Sequence, residues 1–554
     1  MDLYKTDWNL ANWLSLFAFR PYYLYMLWVD RTIERIKERY EKEIAAGTSL
    51  LIRDEKTASG RVHVGSMRGV AIHGVVAEAL SELSIPNTFL YEINDTDPMD
   101  DIPGYLDQEI YRPFLFRSLK DIPSPDPSAP NFAEYYGGEF MQVITDTGFA
   151  PKFYRASELY ESGRMNEVIR TALERCDLIR EIYKRVSGSQ KEESWLPVSV
   201  TSHVCALGEV PRALSFDGTN VTYVCVPIGE TTLPLGLTEH TVEPWNGNAK
   251  LPWKVEWAAK FKVVDVHIEG GGKDHSTKGG ARDVANTISR EVFEHEPPFD
   301  LPYEFFLVEG KKMSSSKGRG TSAREIADLV APEIFRLALL GKDPKQAFNF
   351  DPAGDTIPVL YDTYDRLAEK YWSGAGDDQA RLFVLLHAPI DRTSLSRRFL
   401  PRFSQVVFLV QMPHMDLKEE ISKLKGEALT AEDEIELERR ARYARQWIEK
   451  YASDDFKFEL RRDAVPELAK DFSDVQKDAL RDVLHFVEAS QVLTGEDFHK
   501  KLHDIKESRG IEPAPFFSAL YVAFLGKASG PKAGWFLSVL DREFLLRRLR
   551  EVTS

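Results

Sequence analysis

Strand-like and helix-like segments alternate through the first half of this 554-residue chain, and this alternation constrains the fold more than any other feature. Short apolar segments at 49–53 and 88–93 frame a helix pattern that ends near residue 83. The alternation resumes with a strand at 263–269, a helix to about 293 and a strand at 305–308. Such a pattern predicts a mostly parallel α/β sheet, whose ligands bind at the carboxyl ends of the strands.

The same patterns divide the chain into several domains, since 554 residues exceed what one hydrophobic core holds. Residues 98–250 interrupt the alternation, with four prolines between 123 and 130, and are predicted to be an insertion. Beyond about 345, apolar residues recur at helical spacing and strands vanish. The predicted segments are an N-terminal helical segment (1–45), an α/β domain in two halves (46–97 and 251–345) around the insertion, and an α-helical C-terminal region (346–554).

The N-terminus carries an apolar segment, 14–29, which Arg20 and Pro21 interrupt. It is short for a membrane span and lacks a cleavage site of small residues, so we expect a buried or docking segment. No other segment resembles a membrane span, so we expect no membrane partner and a cytoplasmic protein.

Charge and cysteine content narrow the partners and the compartment. With 71 basic and 87 acidic residues, any contact with RNA must come from local basic patches. Cys176, Cys205 and Cys225 are too few for a disulfide framework and predict a reducing compartment. Cys205 and Cys225 also fall short of the four ligands of a structural zinc site, so we expect no metal there.

The loop after the first predicted strand contains His63-Val64-Gly65-Ser66. His63 offers a ring N–H, and Gly65 lets a flat ligand approach the backbone. Ser66 is positioned to cap the next helix, whose first N–H groups favour phosphate. The acidic loop at Asp95 and Asp97 follows the second strand, so we expect both loops to face one crevice.

A second loop follows the predicted strand at 305–308 and carries Lys311, Lys312 and Lys317 among glycines and three serines. Lysine is a mobile point charge suited to a triphosphate, and serine hydroxyls add donors. A third site, Gly272-Lys273-Asp274-His275, has a glycine turn after a strand, where Asp274 can accept hydrogen bonds from ribose.

Together these motifs resemble the class I lysyl-tRNA synthetases. The matching segments are 57–66, Lys250-Leu251-Pro252-Trp253-Lys254-Val255-Glu256-Trp257, 272–275, and 303–306 leading into Lys312-Met313-Ser314-Ser315-Ser316-Lys317. The resemblance implies a Rossmann-type catalytic domain, a connective insertion and an α-helical anticodon-binding region. It also implies activation of lysine with ATP and Mg²⁺, transfer to a lysine tRNA, and a monomeric protein.

The resemblance also implies residue roles. Catalysis falls to His63, Lys312 and Lys317. Nucleotide contacts fall to Ser59, Gly60, His63, Gly65, Ser66, Gly272, Asp274, Met313, Ser314, Ser315, Ser316 and Lys317. Lysine contacts fall to Glu55, Thr57, Trp253, His275 and Tyr303. A tryptophan face suits the lysine stem or its ammonium, and a buried carboxylate should lie nearby, with Glu55, Asp95 and Glu256 as equal candidates.

The C-terminal region carries local basic clusters, Arg397-Arg398 with Arg402 and a tail from Arg542 to Arg550. Basic side chains bind phosphates and aromatic rings stack on unpaired bases, which favours an anticodon-binding role. Phe399, Phe403 and Trp535 are available aromatics, although core packing is the role we expect for any one of them.

Three other functions remain open from the sequence alone. One is a class I synthetase for glutamate, arginine or cysteine, and another is a small-molecule nucleotidyltransferase, which the long helical region disfavours. The third is a non-catalytic RNA-binding paralogue. It stays open because members of the family often have Asn or His where this chain has Ser66, and because Cys205 and Cys225 are single cysteines.

Overall fold

The computed structural model describes residues 26–201, 203–230, 236–311, 313, 320–387, 395–412, 415–491 and 493–554. The expectations for 14–25, Lys312, Ser314, Ser315, Ser316 and Lys317 lie outside these residues. Within them the chain forms two compact units: an α/β unit (26–327, 335–349 and 367–387) and a helical unit (328–334, 350–366 and 395–554).

The elements of the first part are α1 (Trp28–Arg39), α2 (Glu41–Ala45), β1 (Leu50–Lys56), α3 (Met67–Glu82), β2 (Asn87–Ile93), α4 (Gln108–Tyr111), α5 (Phe132–Asp146), β3 (Lys152–Arg155), α6 (Ala156–Glu161), α7 (Asn166–Glu174), α8 (Cys176–Ser187), β4 (Ser199–Val200), β5 (Glu209–Phe216), β6 (Val221–Pro227), β7 (Glu239–Val242), β8 (Ala249–Lys250), α9 (Trp253–Val264), α10 (Ala281–Glu291), β9 (Phe306–Val308), α11 (Ala323–Leu329), α12 (Pro332–Leu340) and β10 (Phe348–Phe350). The remaining elements are helices: α13 (Thr356–Trp372), α14 (Asp378–Leu385), α15 (Phe403–Leu409), α16 (Leu417–Lys425), α17 (Ala431–Lys450), α18 (Asp474–Ala489), α19 (Gly495–Arg509), α20 (Pro513–Leu525), α21 (Ala533–Ser538) and α22 (Arg542–Thr553).

A parallel sheet organises the α/β unit. β1 pairs with β2 from Leu50 opposite Asn87, and β2 pairs with β3 from Leu90 opposite Lys152. On the other side of β1, Ile268 bridges Ile52 in parallel, and Phe299 bridges Ile268. The parallel layer therefore runs β3, β2, β1, the segment at 268 and the segment at 299. Helix α3, with most of its residues buried, packs on this layer, as parallel sheets require.

Two predicted boundaries of the sheet need correction. β3 lies inside 98–250, so the range predicted as an insertion contributes a strand to the parallel sheet. The strand predicted at 263–269 is reduced to an isolated bridge at Ile268, because α9 continues to Val264 and ends at Asp265 in a left-handed conformation (φ 61°). Aspartate tolerates that conformation, which redirects the chain into the bridge at Ile268.

The start of α3 near Ser66 agrees with the prediction, but the capping interaction does not. A 3₁₀ turn, Val64–Ser66, precedes the helix, and the Ser66 side chain makes no capping hydrogen bond. Ser322 and Glu325 have the Ser-x-x-Glu spacing that predicts a capping box at a helix start. The box forms at α11, where Ser322 N donates to Glu325 Oε2 (2.8 Å) and Glu325 N donates to Ser322 Oγ (3.1 Å).

The predicted absence of a disulfide is wrong. Cys205 and Cys225 form a disulfide that ties the loop before β5 to β6. β5, β6 and β7 form an antiparallel sheet, and this fold-back brings together two cysteines separated by 20 positions. Sequence spacing does not reveal such a pairing.

The region after 345 is helical as predicted, apart from the short strand β10, where Phe348 N donates to Phe305 O at 3.1 Å. In the helical unit, the Phe403 ring stacks on Tyr361 with centroids 4.0 Å apart, and Trp535 is buried. Both aromatics therefore serve core packing. None of the described helices is both long and apolar enough to cross a membrane.

Candidate active site

Residues 321–323, which follow the lysine–serine loop, lie beside the His63 loop. Val64 N donates to Thr321 O (3.1 Å), Ala323 N donates to Val62 O (2.8 Å), and His63 and Ser322 form an antiparallel bridge. The chain that leaves the lysine–serine loop therefore runs along the His63 loop. That the lysine–serine loop and the His63 loop serve one site stays a prediction.

A cleft of about 330 Å³ opens where β1 and the segments at 268 and 299 end. Eleven of the predicted residues line it: Glu55, Thr57, His63, Gly65, Ser66, Trp253, Gly272, Asp274, His275, Tyr303 and Met313. Ser59 and Gly60 belong to the same loop as Thr57 but are not among the lining residues.

Gly65 keeps room at the mouth of the cleft. A Cβ atom at this position would lie 3.0 Å from His63 Nδ1 and 3.2 Å from Met313 Cε. Those contacts are tighter than ordinary van der Waals packing, so a side chain would displace the His63 ring or Met313. The predicted need for glycine here has a direct steric basis.

An aromatic wall forms one side of the cleft. Trp253, at the first turn of α9, stacks on Trp257 with centroids 5.6 Å apart and meets the His275 ring edge-on at 5.0 Å. Trp253 remains 36% exposed, so its free face is available to a ligand. Trp257 Nε1 donates to Glu269 Oε1 at 2.6 Å, which fixes the wall against an acid of the cleft.

The glycine turn and the segment at 303 form the floor. Gly272 and Tyr303 bridge in parallel, and Lys273 N donates to Tyr303 O at 2.8 Å. Lys273 Nζ pairs with Glu304 Oε1 at 2.6 Å. A Cβ at Gly270 would collide with Leu301 O at 2.0 Å, so glycine is required there for close approach of the two segments.

Of the three carboxylates proposed to receive an ammonium, only Glu55 lines the cleft. Asp95 accepts hydrogen bonds from Ser157 N (2.9 Å) and Ser157 Oγ (2.5 Å). Glu256 is 1% exposed and accepts from Lys250 (2.7 Å), Lys260 (3.2 Å), Tyr160 (2.7 Å) and Asn94 (3.2 Å). Asp95 and Glu256 are therefore corrected to structural acids.

The acidic loop does not face the main cleft, contrary to expectation. Asp97 pairs with Lys250 at 2.9 Å and accepts a hydrogen bond from Thr57 Oγ1. Asp97 therefore positions the side chain of Thr57, which lines the cleft, without lining the cleft itself. The loop bends away because Asp95 is bound to the start of α6.

A buried charge network lies behind the cleft. Arg53 contacts Glu55 (2.5 Å), Glu92 (2.9 Å) and Glu269 (2.8 Å), and Lys260 contacts Glu92 (2.5 Å). Burial opposes ionisation of Glu92, but Lys260 and Arg53 outweigh it and lower the pKa of Glu92. Burial raises the pKa of Glu55 to about 7, despite Arg53 and Lys260.

Besides Glu304, which pairs with Lys273, sequence reasoning missed two acids that line the cleft, Asp54 and Glu269. Burial raises the pKa of Asp54 to about 7. Glu269 is 2% exposed, and its Oε2 has no hydrogen-bond partner among the described residues. Their positions at the carboxyl ends of two adjacent extended segments were the available signal.

His73 contributes no positive charge beside these acids. Its Nε2 accepts a hydrogen bond from Gly270 N (2.9 Å), so Nδ1 carries the proton and donates to Gly69 O (2.8 Å). Burial also lowers the pKa of His73. The ring is therefore neutral, although Nδ1 lies 3.6 Å from Asp54 Oδ2.

Comparison with known proteins follows the same division of the chain. The family model described as tRNA synthetases class I (K) matches residues 26–388, and the model described as an anticodon binding domain matches 437–553. The lysine–tRNA ligase of Methanosarcina barkeri is 30% identical over 95% of this chain and 98% of its own length. Those of Thermoplasma volcanium and Pyrococcus horikoshii are also 30% identical, over 95% and 94% of this chain and 99% of their own lengths.

The family model covers more than half of the chain, and these relatives match it over nearly their whole lengths. The matched region contains every residue that lines the cleft. The chain therefore belongs to the family described as tRNA synthetases class I (K).

Proposed function

We propose that this protein is a lysine–tRNA ligase, which activates lysine with ATP and transfers it to the 3′ end of a lysine tRNA. The observation that carries the proposal is the cleft, where the His63 loop, the exit of the lysine–serine loop and an acidic, tryptophan-walled pocket meet. Full-length relatives with this activity in their names support the choice of lysine.

The first step forms a bond between a lysine carboxylate oxygen and the α-phosphorus of ATP and breaks the bond to pyrophosphate. Negative charge grows on phosphate oxygens, so preorganised donors stabilise the transition state. We assign this role to His63, with Lys312 and Lys317 of the lysine–serine loop. The terminal ribose hydroxyl of tRNA then attacks the lysyl carbonyl and releases AMP.

The remaining nucleotide contacts follow the cleft. Gly65 and Gly272 let the nucleotide approach the backbone, Asp274 receives the ribose hydroxyls, and Met313 packs beside Gly65. Ser66, Ser314, Ser315 and Ser316 offer hydroxyls to phosphate, and Ser59 and Gly60 shape the His63 loop.

Magnesium is proposed to arrive on the triphosphate. Among the described residues there is no group of three or more histidine, cysteine, aspartate or glutamate side chains that could hold a metal ion. Mg²⁺ commonly binds through substrate phosphates, one or two carboxylates and water, which fits a site with few protein ligands. Bound there, it would neutralise charge on the departing pyrophosphate.

The lysine pocket is assigned to Trp253, His275, Thr57, Glu55 and Tyr303. The exposed Trp253 face suits the four-carbon stem, and the cleft acids suit a substrate with two ammonium groups. Glutamate would add the carboxylate of its own side chain to a cleft that five acidic side chains already line, which disfavours a glutamate ligase.

The finer architecture is part of the same proposal. The parallel order β3, β2, β1, 268, 299 supports a Rossmann-type catalytic domain. We propose 46–97 and 251–345 as its two main parts, together with β3 from within 98–250. The rest of 98–250 is proposed as the connective insertion, 1–45 as an N-terminal helical segment and 346–554 as the anticodon-binding region. We also propose a cytoplasmic monomer.

ATP–pyrophosphate exchange, run separately with each of the twenty amino acids, tests the function. Lysine should support exchange, and glutamate, arginine and cysteine should not. Exchange with one of those three alone would identify another class I specificity. No exchange with any amino acid, from protein that binds tRNA, would identify the non-catalytic paralogue.

A further inference from the structure

Lys56, the last residue of β1, is a basic side chain that lines the cleft. The pKa of its ammonium is lowered, mainly by burial, although the nearby acids Asp54, Asp97 and Glu55 oppose that change. Neither these acids nor any other residue that the structure describes forms an ion pair or hydrogen bond with the ammonium. Lys56 therefore has a charge available for an anion that enters the cleft.

Arg68 is the other lysine or arginine among the described residues that line the cleft, and the chain itself engages it. Its side chain is 1% exposed, Nη1 donates to Leu339 O, and Nη2 donates to Asp343 O at 3.2 Å. Five acidic side chains also line the cleft and repel anions. An anionic ligand at this end of the described cleft thus has Lys56 as its available basic side chain.

The strand places Lys56 on the face of the sheet that α3 covers. Asp54 and Lys56 are two positions apart on β1, so their side chains leave the same face. Asp54 on that face approaches His73 of α3, with 3.6 Å between Oδ2 and Nδ1. Gly65 and Ser66, just before α3, line the same cleft, and the Ser66 side chain makes no capping hydrogen bond. The start of a helix favours phosphate, and Lys56 adds a full charge there.

We propose that Lys56 is a further catalytic residue, whose ammonium binds the α-phosphate of ATP while the lysine carboxylate attacks it. The inference rests on the proposed function. As the carboxylate oxygen bonds to the α-phosphorus and pyrophosphate leaves, two anions meet in an acidic cleft and charge grows on the phosphoryl oxygens. Lys56 keeps its proton and forms no covalent bond, and its charge stabilises those oxygens.

The experiment uses three ligands that separate the α-phosphate from the rest of the site. Lysinol has no carboxylate and adenosine has no phosphate. Lysinol adenylate, in which AMP is esterified to the alcohol of lysinol, joins the two through the α-phosphate as its single anionic group. Dissociation constants for all three are measured by calorimetry on the full-length protein, and adenylate formation from lysine and ATP is followed in single turnovers.

Lys56→Met keeps an unbranched stem and removes the charge. It should weaken lysinol adenylate at least about 30-fold, and lysinol and adenosine no more than about threefold, because only the first presents an anion. Adenylate formation should slow by about 10²–10³-fold. Lys56→Arg keeps the charge and should recover at least about a tenth of the parent's affinity for lysinol adenylate.

Lys152→Met is the matched control, since Lys152 is an exposed lysine at the start of β3 that does not line the cleft. It should change none of these constants. Lys56→Gln is a second neutral variant, which should behave as Lys56→Met does.

Equal weakening of lysinol adenylate and adenosine in both neutral variants would show a structural role for Lys56 and overturn the inference. Unchanged binding of lysinol adenylate in both would overturn it as well. A parent protein that forms no adenylate from lysine and does not bind lysinol adenylate would instead refute the proposed function. The two failures are therefore distinguishable.

Discussion

Both units of this protein bury a network of charged side chains, and the two networks end differently. In the helical unit, Arg440 is fully buried and contacts Asp365, Glu436 (2.8 Å) and Pro401 O (2.8 Å). All of these partners of Arg440 belong to the helical unit. In the α/β unit, Arg53 and Lys260 join four glutamates, and the network ends at a cleft with Asp54 and the open Oε2 of Glu269.

The difference teaches that charge pattern alone does not separate a site from a scaffold. Several arginines of the basic clusters that the sequence offered to tRNA make contacts within the helical unit. Arg402 pairs with Asp362 (2.7 Å), Arg550 with Glu488 (2.7 Å), and Arg548 Nη1 donates to Ala523 O (2.7 Å). A buried acid that borders a cavity and has no paired cation is better evidence of a binding site than a cluster of basic residues in the sequence.

The largest effect is expected in the helical unit. Arg440→Met should lower the free energy of unfolding by about 3–5 kcal/mol, because Asp365 and Glu436 would remain buried without their cation. Hydrogen exchange of peptides from α17 measures it. Arg445→Ala, an exposed arginine on the same helix, is the control and should stay within about 0.5 kcal/mol. Equal protection in both variants would show that the network does not stabilise this unit.

In the α/β unit the corresponding large effect is on rate. His63→Ala should slow single-turnover adenylate formation by about 10²–10³-fold, since the ring is proposed to act on charge that develops in the transition state. Lysine binding should change less. Lys317→Ala should likewise slow adenylate formation more than it weakens lysine binding. His485→Ala, an exposed histidine of the helical unit, should leave the rate unchanged. A His63→Ala rate within a few-fold of the parent would remove this residue from catalysis.

The stability of the α/β unit should depend on pH through Asp54, which lies where the charge network meets the cleft. The pKa of Asp54 is raised to about 7, so the folded state holds this proton more tightly than the unfolded state. Its contribution to stability is therefore greatest at low pH and is lost as pH rises towards 7. Relative to the parent, Asp54→Asn should gain about 2 kcal/mol between pH 5 and pH 7.

Denaturant titrations at several pH values measure this difference, with the exposed Asp101→Asn as the control. A parallel pH dependence for parent and Asp54→Asn would mean that Asp54 is ionised at no cost in the folded protein.

The smallest effect concerns a surface pair. Arg402→Ala removes an ion pair with Asp362 that is half exposed, so stability should change by less than about 1 kcal/mol. If Arg402 also binds an anticodon phosphate, the salt dependence of tRNA binding should weaken by about one unit of slope. An unchanged slope would place the phosphate contacts elsewhere in the helical unit.

Local patterns explain what could be predicted from sequence. The strand–loop–helix around His63 and the capping box at Ser322 depend on residues close in the chain, and both were predicted. The helices at 356–372 and 513–525 follow from apolar spacing. The family resemblance pointed to Trp253, which lines the cleft.

Long-range pairing explains what could not be predicted. The place of β3 in the sheet, the Cys205–Cys225 bond and the attachment of Asp95 to Ser157 each depend on residues distant in sequence. The same is true of Asp54, which residues distant in sequence, His73 and Gly69, bring into a buried position at the cleft. Alternation of charged residues along β1 gave no sign of which acid faces the cleft.

The most direct test of the central claim is to identify the amino acid that the protein attaches to tRNA. Purified protein would be incubated with ATP, Mg²⁺, all twenty amino acids and total tRNA, and the esterified amino acid released and identified by mass spectrometry. The account predicts lysine, on a lysine tRNA alone. Another amino acid on its own tRNA, or no esterified product from a protein that binds tRNA, would contradict it.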